Sequence, residues 1–313
     1  MPVRIGLGLL DYPFSGADAY WRWVDLCESG GVDSLWQSDR LAGATPFLEC
    51  MSVMGALAGR TRRLKFGMSV LSMAFREPLI VAKECATIDY LSNGRMLPAF
   101  GIGNPSSPDW AAVGMTSEGH GGKMNQALDI MARLWRGETV TTDGPHYRYR
   151  DARISPLPVQ NPLPLWIGGS SPAAIRRTAR LGTGWLAGAE THETIAPVVA
   201  AIKAEAEAVG RPMDPEHFGA GFFFRFGDPD DPIVEARRAN YRRAFPNRDF
   251  SKVMVVGGAD DIIERVRAYV AAGVTKFVLR PLAQDDEDIL DQTRKLIEQV
   301  LPVIHVPKKA AAA

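Results

Sequence analysis

Several short stretches of this chain set polar or glycine residues directly behind strand-like apolar runs, and those junctions are where chemistry could sit. Residues 34–40, SLWQSDR, end in Asp39 and Arg40. Asp39 offers a carboxylate, whereas Arg40 is a permanently charged donor that cannot exchange protons near neutral pH. Residues 67–72, GMSVLS, present Ser69, Val70 and Ser72 at a strand exit. GIGNP, at 101–105, lacks the third glycine and following helix of a dinucleotide fingerprint, so Gly101 and Gly103 read as glycines that admit close backbone approach to a ligand. Asn104 beside them can hydrogen-bond but not deliver a proton. WIGGSSPAAIRR, at 166–177, places Gly168, Gly169, Ser170 and Ser171 ahead of a helix opened by Pro172. That is an anion site, because first-turn N–H groups lack internal partners and the helix dipole favours negative charge there, or equally an ordinary turn capped by Ser170 or Ser171. Among five histidines only His120, within EGHGG, is placed to act as acid or base. Arg225 and Arg280, at the exits of late strands, form either a phosphate or carboxylate clamp or salt bridges at a rim.

These junctions recur because strand and helix patterns alternate throughout. Strands are predicted at 3–9, 34–37, 64–71, 96–101, 165–168, 184–187, 219–226 and 276–280. Helices are predicted at 17–29, 46–59, 78–91, 123–135, 172–181, 193–209, 260–272 and 286–301, several opened by Pro or Asp and closed by Gly. The alternation favours an α/β fold closed as a (β/α)₈ TIM barrel, whose active site lies at the carboxyl ends of the strands. The chain of 313 residues exceeds the ~250 typical of that fold, which leaves room for insertions in a single domain spanning 1–313. Two segments are long enough to be such insertions, near 104–164 and 227–251. The arginines of the RRANYRRAF run in the second, including Arg237, read as a solvated face. Asp230-Asp231 and Asp285-Asp286 read as helix caps.

Composition narrows the function. Lys+Arg 36 against Asp+Glu 36 leaves no net charge, which removes the electrostatic footprint of a nucleic-acid or anionic-membrane binder and points to a small-molecule substrate. Cys27, Cys50 and Cys85 show neither CxxC nor Cys/His spacing and are expected as buried thiols of a cytoplasmic protein. No HExxH or carboxylate cluster supports a metal. The amino terminus enters a strand at once, without a signal-peptide pattern, and no run of about 18 apolar residues exists, so neither export nor membrane insertion is expected. The tail at 307–313 reads as a frayed end.

The stretch GMSVLSMAFREP, followed by VAKECATIDYLSNGR and GIG, resembles the core signature of the bacterial-luciferase-like superfamily, and the similarity runs from VRIGLGLL through PLPLWIGGSSPAAIRRTARLGTGW to AYVAAGVTKFVLRP. The resemblance implies FMN or a deazaflavin (coenzyme F420) as cofactor, with its phosphate region near Gly168 to Ser171. It also implies a non-prolyl cis peptide behind the central flavin ring, here at Ser69-Val70. SLWQSDR resembles the second-strand motif in which Asp is followed by His at the cofactor face; Arg40 stands where that His would be, which puts an acid or base role in doubt. Asn104 stands where some deazaflavin-dependent members carry a glutamate proton donor, which disfavours a sugar-phosphate dehydrogenase mechanism built on that group. The activity so implied is an oxidoreductase on a small organic substrate, either an FMN-dependent monooxygenase fed by a flavin reductase or a deazaflavin-dependent hydride-transfer enzyme. Asp39, Arg40, Asn104 and His120 are its candidate catalytic residues, and a homodimer is its implied assembly. The competing reading is a non-redox barrel: a phosphate-handling isomerase, for which neither Glu190 nor Lys276 is clearly placed as base, or a catalytically silent ligand-binding member.

Overall fold

The computed structural model describes residues 2–305, so the tail at 307–313 lies outside the described residues. The chain forms two compact units, each assembled from separate stretches of sequence. One comprises Met1–Leu35, Ala187–Ala200 and Pro215–Ala313; the other comprises Trp36–Leu186 and Ala201–Asp214.

In the first unit, strand Arg4–Leu9 is buried at every residue, as expected for an apolar run covered on both faces. It pairs in parallel with Lys276–Pro281, Arg4 opposite Lys276 and Leu7 opposite Leu279. Lys276–Pro281 also takes Phe218–Ala220 and Phe223–Phe226 in parallel, and Met254–Gly257 pairs with the latter. The single strand expected over 219–226 is therefore interrupted. A β-carbon on Gly221 would stand 1.8 Å from the Val278 carbonyl oxygen, so the chain passes there too closely for any side chain before the strand resumes at Phe223. Met254–Gly257 goes unread in the sequence. Asp231 and Asp285 do cap their helices, accepting from Ile233 N at 3.2 Å and from Glu287 N and Asp288 N at 3.1 and 3.0 Å.

In the second unit, Leu71–Ser72, Ala99–Gly101, Trp166–Gly168 and Gly184–Leu186 pair successively in parallel, and Lys65–Met68 pairs with Met96–Leu97. The helix Pro78–Leu91 falls where its pattern places it. Glu77 caps it by accepting from Ile80 N at 2.9 Å, Pro78 occupies its first turn, and Asn93 and Gly94, both at positive φ, end it. Several boundaries differ from expectation, among them the strand over 96–101, which breaks at Pro98. The strand over 64–71 stops at Met68, ahead of a cis peptide at Ser69-Val70. The helix expected from 46 begins at Cys50, because the Glu49 side chain accepts from Ser52 N at 2.7 Å and so fixes its start. The helix expected from 123 begins at His120. The first insertion also contains a short helix, Asp109–Ala112, and an antiparallel pair, Val140–Asp143 with Arg148–Ala152.

Candidate active site

The second unit gathers most of the singled-out residues at the carboxyl ends of its strands. Val70 is their centre. Its side chain projects from the Ser69-Val70 junction, and a β-carbon on Gly101 would stand 2.6 Å from its Cγ2, one on Gly168 3.1 Å from both of its methyls. Gly101 and Gly168 were expected to make room for a ligand; what they make room for is Val70. The strand pairing explains this, since Ser72 lies opposite Gly101 and Phe100 opposite Ile167, which brings the three strand ends side by side. Gly103 is a glycine for a different reason: its φ of 118° is one L side chains rarely adopt, and a β-carbon there would meet Trp110 at 3.1 Å and Ser72 Oγ at 3.4 Å.

The Asp39 side chain is buried and fully engaged. Its Oδ2 accepts from Ser72 N at 2.8 Å and from Arg76 Nη1 at 2.7 Å, and its Oδ1 accepts from Arg76 Nη2 at 2.8 Å. The bidentate partner is thus Arg76, not the neighbouring Arg40, and a carboxylate held this way positions the Ser69 to Ser72 segment rather than exchanging protons. Arg40 instead lies 4.6 Å over the Phe47 ring and makes no hydrogen bond or ion pair among the described residues, so its donors remain available. Cys50 sits nearby, but burial first and the Asp39 charge second push its thiol up, which keeps it neutral and unreactive.

The insertion after Gly103 packs over this region through aromatic residues. Asp109 accepts from Leu41 N and Ala42 N at 3.2 and 2.8 Å, pinning the short helix to the segment behind Arg40. Trp110 is buried, donates Nε1 to the Asn104 carbonyl at 2.9 Å, and lies edge-on to Phe75 with centroids 4.5 Å apart. His120 stacks on Trp110 at 4.8 Å, and its Nε2 lies 2.6 Å from the Thr116 carbonyl. A carbonyl only accepts, so Nε2 carries the proton and Nδ1 is the nitrogen left to receive one. Asn104 turns its Oδ1 to Ser106 N at 3.0 Å, which spends its acceptor locally and leaves its amide N–H₂ as donor.

Gly169, Ser170 and Ser171 lie at the start of helix Pro172–Leu181. Ser171 Oγ accepts from Ala174 N at 3.2 Å, and Trp185 Nε1 donates to the Gly169 carbonyl at 2.9 Å. The capping alternative holds for Ser171, while the turn itself stays exposed. Sequence reasoning missed Arg76, Trp110 and Arg177. Arg177 is a buried guanidinium whose Nε donates to Asn125 Oδ1 at 2.6 Å and whose Nη2 reaches the Gly121 carbonyl at 3.4 Å, tying its helix to the first turn of the one that begins at His120. The signal for Arg76 was present in AFREP, a cation just ahead of a Pro-opened helix.

In the first unit, Arg225 corrects the clamp expectation. Its Nε donates to Asp231 Oδ2 at 3.0 Å, and its Nη1 to Asp288 Oδ2 at 2.8 Å and to the Leu282 carbonyl at 3.0 Å. Two carboxylates already neutralise it, so it ties the cap of helix Pro232–Ala244 to the first turn of helix Asp286–Lys295 instead of receiving a ligand. Arg280 is buried; desolvation lowers its guanidinium to about 10, with Tyr269 opposing, and its Cζ lies 5.9 Å from the Phe223 ring centroid. Arg237 also departs from the solvated face expected of it. Its side chain is 16% exposed, its Nη2 pairs with Asp11, and its Cζ lies 5.5 Å from the same ring.

The second unit thus sets parallel βα units, a strand break at Ser69-Val70 flanked by glycines, a buried carboxylate and an aromatic insertion at neighbouring strand exits. Residues 5–250 match the model of the luciferase-like monooxygenase family, and the chain belongs to that family. It is 29% identical to an F420-dependent glucose-6-phosphate dehydrogenase of Beutenbergia cavernae, covering 96% of this chain and 97% of that one. Among solved structures, the monooxygenase RslO1 from Streptomyces bottropensis superposes with a TM-score of 0.83 at 19% identity, covering 96% and 99% of the two chains. An F420-dependent secondary alcohol dehydrogenase in complex with an F420-acetone adduct superposes with a TM-score of 0.80 at 19% identity, covering 97% and 99%. The fold is the α/β (β/α)₈ TIM barrel expected from the sequence.

Proposed function

We propose that this protein is a deazaflavin (F420)-dependent oxidoreductase that transfers hydride to or from a small organic substrate. The observation that carries this reading is the Val70 side chain, at the break between strands Lys65–Met68 and Leu71–Ser72, seated against Gly101 and Gly168, with the exposed Gly169 to Ser171 turn on the same run of strands: an apolar backing for a planar ring beside a helix start suited to a phosphate. The likeness to the F420-dependent enzyme of Beutenbergia cavernae favours F420 over FMN. Ser69, Val70, Gly103 and Gly169 to Ser171 would hold the cofactor, which when bound supplies the two-electron hydride chemistry.

What remains for the protein is position and a proton. Asp39, locked by Arg76, sets the Ser72 backbone that shapes the ring platform. Arg40 supplies a fixed positive charge and hydrogen-bond donors, and Asn104 a donor amide. A hydroxyl-bearing substrate that loses hydride also loses a proton, and His120 Nδ1 is the group that takes it, since Arg40 and Asn104 cannot and Asp39 is engaged. The protein further acts as a homodimer in a reducing cytoplasm. Ile80 and Leu91, 59% and 66% exposed on helix Pro78–Leu91, support the first part, and three buried thiols the second.

Titration of the purified protein with F420 and with FMN, read by fluorescence quenching and retained absorbance, tests the reading. F420 binding is expected. Binding of FMN alone would redirect the assignment to an FMN-dependent monooxygenase, the reading favoured by the likeness to RslO1, which would need a reductase partner. Failure of both at micromolar concentration would return the protein to the non-redox barrels.

A further inference from the structure

The first unit carries a second concavity. Helix Pro232–Ala244 is anchored by Val234 and Tyr241, which are buried in a cluster with Phe223, Phe250 and Met254. That anchoring fixes the helix rotation and turns the neighbouring stripe, Ile233, Ala236, Arg237 and Asn240, onto a cavity of about 470 Å³. Its other walls are Asp11, two residues past strand Arg4–Leu9, and the turn 282–284 that ends in Gln284, just past Lys276–Pro281. Those two strands are parallel neighbours, so both walls stand at carboxyl ends, the end of a barrel where ligands bind. The volume lies within the range of small-molecule pockets.

We propose that this cavity binds the carboxylate of a small organic molecule, with Arg237 as its receptor. Arg237 and Asp11 are the charged side chains lining it. Arg237 has its Nε buried with no acceptor, and only Nη2 is spent, on Asp11. A guanidinium carries five donors in a planar fork matched to carboxylates, and Asp11 shows that a carboxylate fits this one. Asp11 is 42% exposed, so it can turn to water while the ligand takes the buried cation. One guanidinium shared with a resident carboxylate suits a monoanion better than a phosphate dianion, because the second negative charge would have no partner. Asn240 and Gln284 add amide donors, and Ile233 offers an apolar surface for the rest of the molecule. Use of the cavity as a substrate subsite rests on the oxidoreductase reading; the binding itself does not.

Calorimetric titration of the full chain with benzoate, with benzamide and inorganic phosphate as comparisons, tests the proposal. Benzoate should bind measurably below about 50 mM, within reach of a few charge-assisted contacts. Arg237→Gln should weaken it at least about tenfold, the scale of one such contact, and Asp11→Asn should tighten it by removing the competing carboxylate. Arg243→Gln, on the exposed side of the same helix, should leave it unchanged. If Arg237→Gln does not fold, the tightening by Asp11→Asn decides the matter. The proposal is overturned by wild-type protein that ignores benzoate, by Arg237→Gln that binds it as wild type does, or by phosphate or benzamide binding more tightly. F420 titrations of the same variants separate the two readings: loss of benzoate with cofactor binding intact removes only the cavity proposal, and cofactor failure with benzoate bound removes only the oxidoreductase.

Discussion

Both oxygens of Asp39 are held by the two terminal nitrogens of Arg76, at 2.7 and 2.8 Å, and one of those oxygens also receives the Ser72 N–H. A strand-end carboxylate that sequence alone presents as catalytic is therefore a structural clasp. Asp39→Ala leaves the largely buried Arg76 with only the longer contact to Glu49, at 3.4 Å, as a charge partner and should lower stability by about 2–3 kcal/mol. Urea denaturation measures this. F420 affinity should fall with it, and Arg76→Met in the same background should restore part of the stability but not the affinity; full affinity in Asp39→Ala would show that the clasp does not shape the platform.

Val70 and the two glycines against it make a second test. Gly101→Ala forces a β-carbon into Val70 Cγ2 and should destabilise by about 1–3 kcal/mol, with Gly168→Ala milder because its contacts are longer. Val70→Ala should relieve most of that penalty in the double variant. Thermal melting of the four proteins closes the cycle, and additive effects would mean that the two side chains do not compete for the same space.

His120→Gln removes the proton acceptor while an amide can still donate to the Thr116 carbonyl. We expect kcat to drop by about 10²–10⁴-fold with KM little changed. An unchanged kcat would assign proton transfer to water.

Alkaline pH should weaken the fold. Burial pushes the thiols of Cys50 and Cys85 well above their ordinary 9.0, and pushes Tyr147 up to about 12, with Glu77 adding to the last. Each holds its proton more tightly folded than unfolded, so its contribution is fully present below pH ~9 and is lost as pH rises further. Arg280, lowered to about 10 by burial, acts in the opposite sense and regains stability only above that value. Urea midpoints should therefore fall between pH 8 and 10, and Cys50→Ala with Cys85→Ala should flatten the fall.

Ile80→Glu combined with Leu91→Glu places charges on the exposed face of helix Pro78–Leu91 without touching its buried side. Sedimentation should shift from dimer to monomer; an unchanged dimer would move the interface elsewhere.

The sequence by itself determined what is local. Apolar period, Pro and acidic helix starts and Asn-Gly stops placed the helices Ala17–Ser29, Pro78–Leu91 and Pro172–Leu181 at their observed ends, and the motif order carried the family resemblance. These signals are local because they arise from backbone dihedrals and hydrogen bonds within a few residues. Tertiary structure decided which side chains meet. Asp39 finds Arg76, 37 residues away, and not its neighbour Arg40. Gly101 and Gly168 face Val70, Arg225 is consumed by Asp231 and Asp288, and Arg237 leaves the solvent for Asp11. Such pairings depend on strand register and helix rotation, set by packing between distant segments, and a residue's type fixes what it can bind without fixing what it will find.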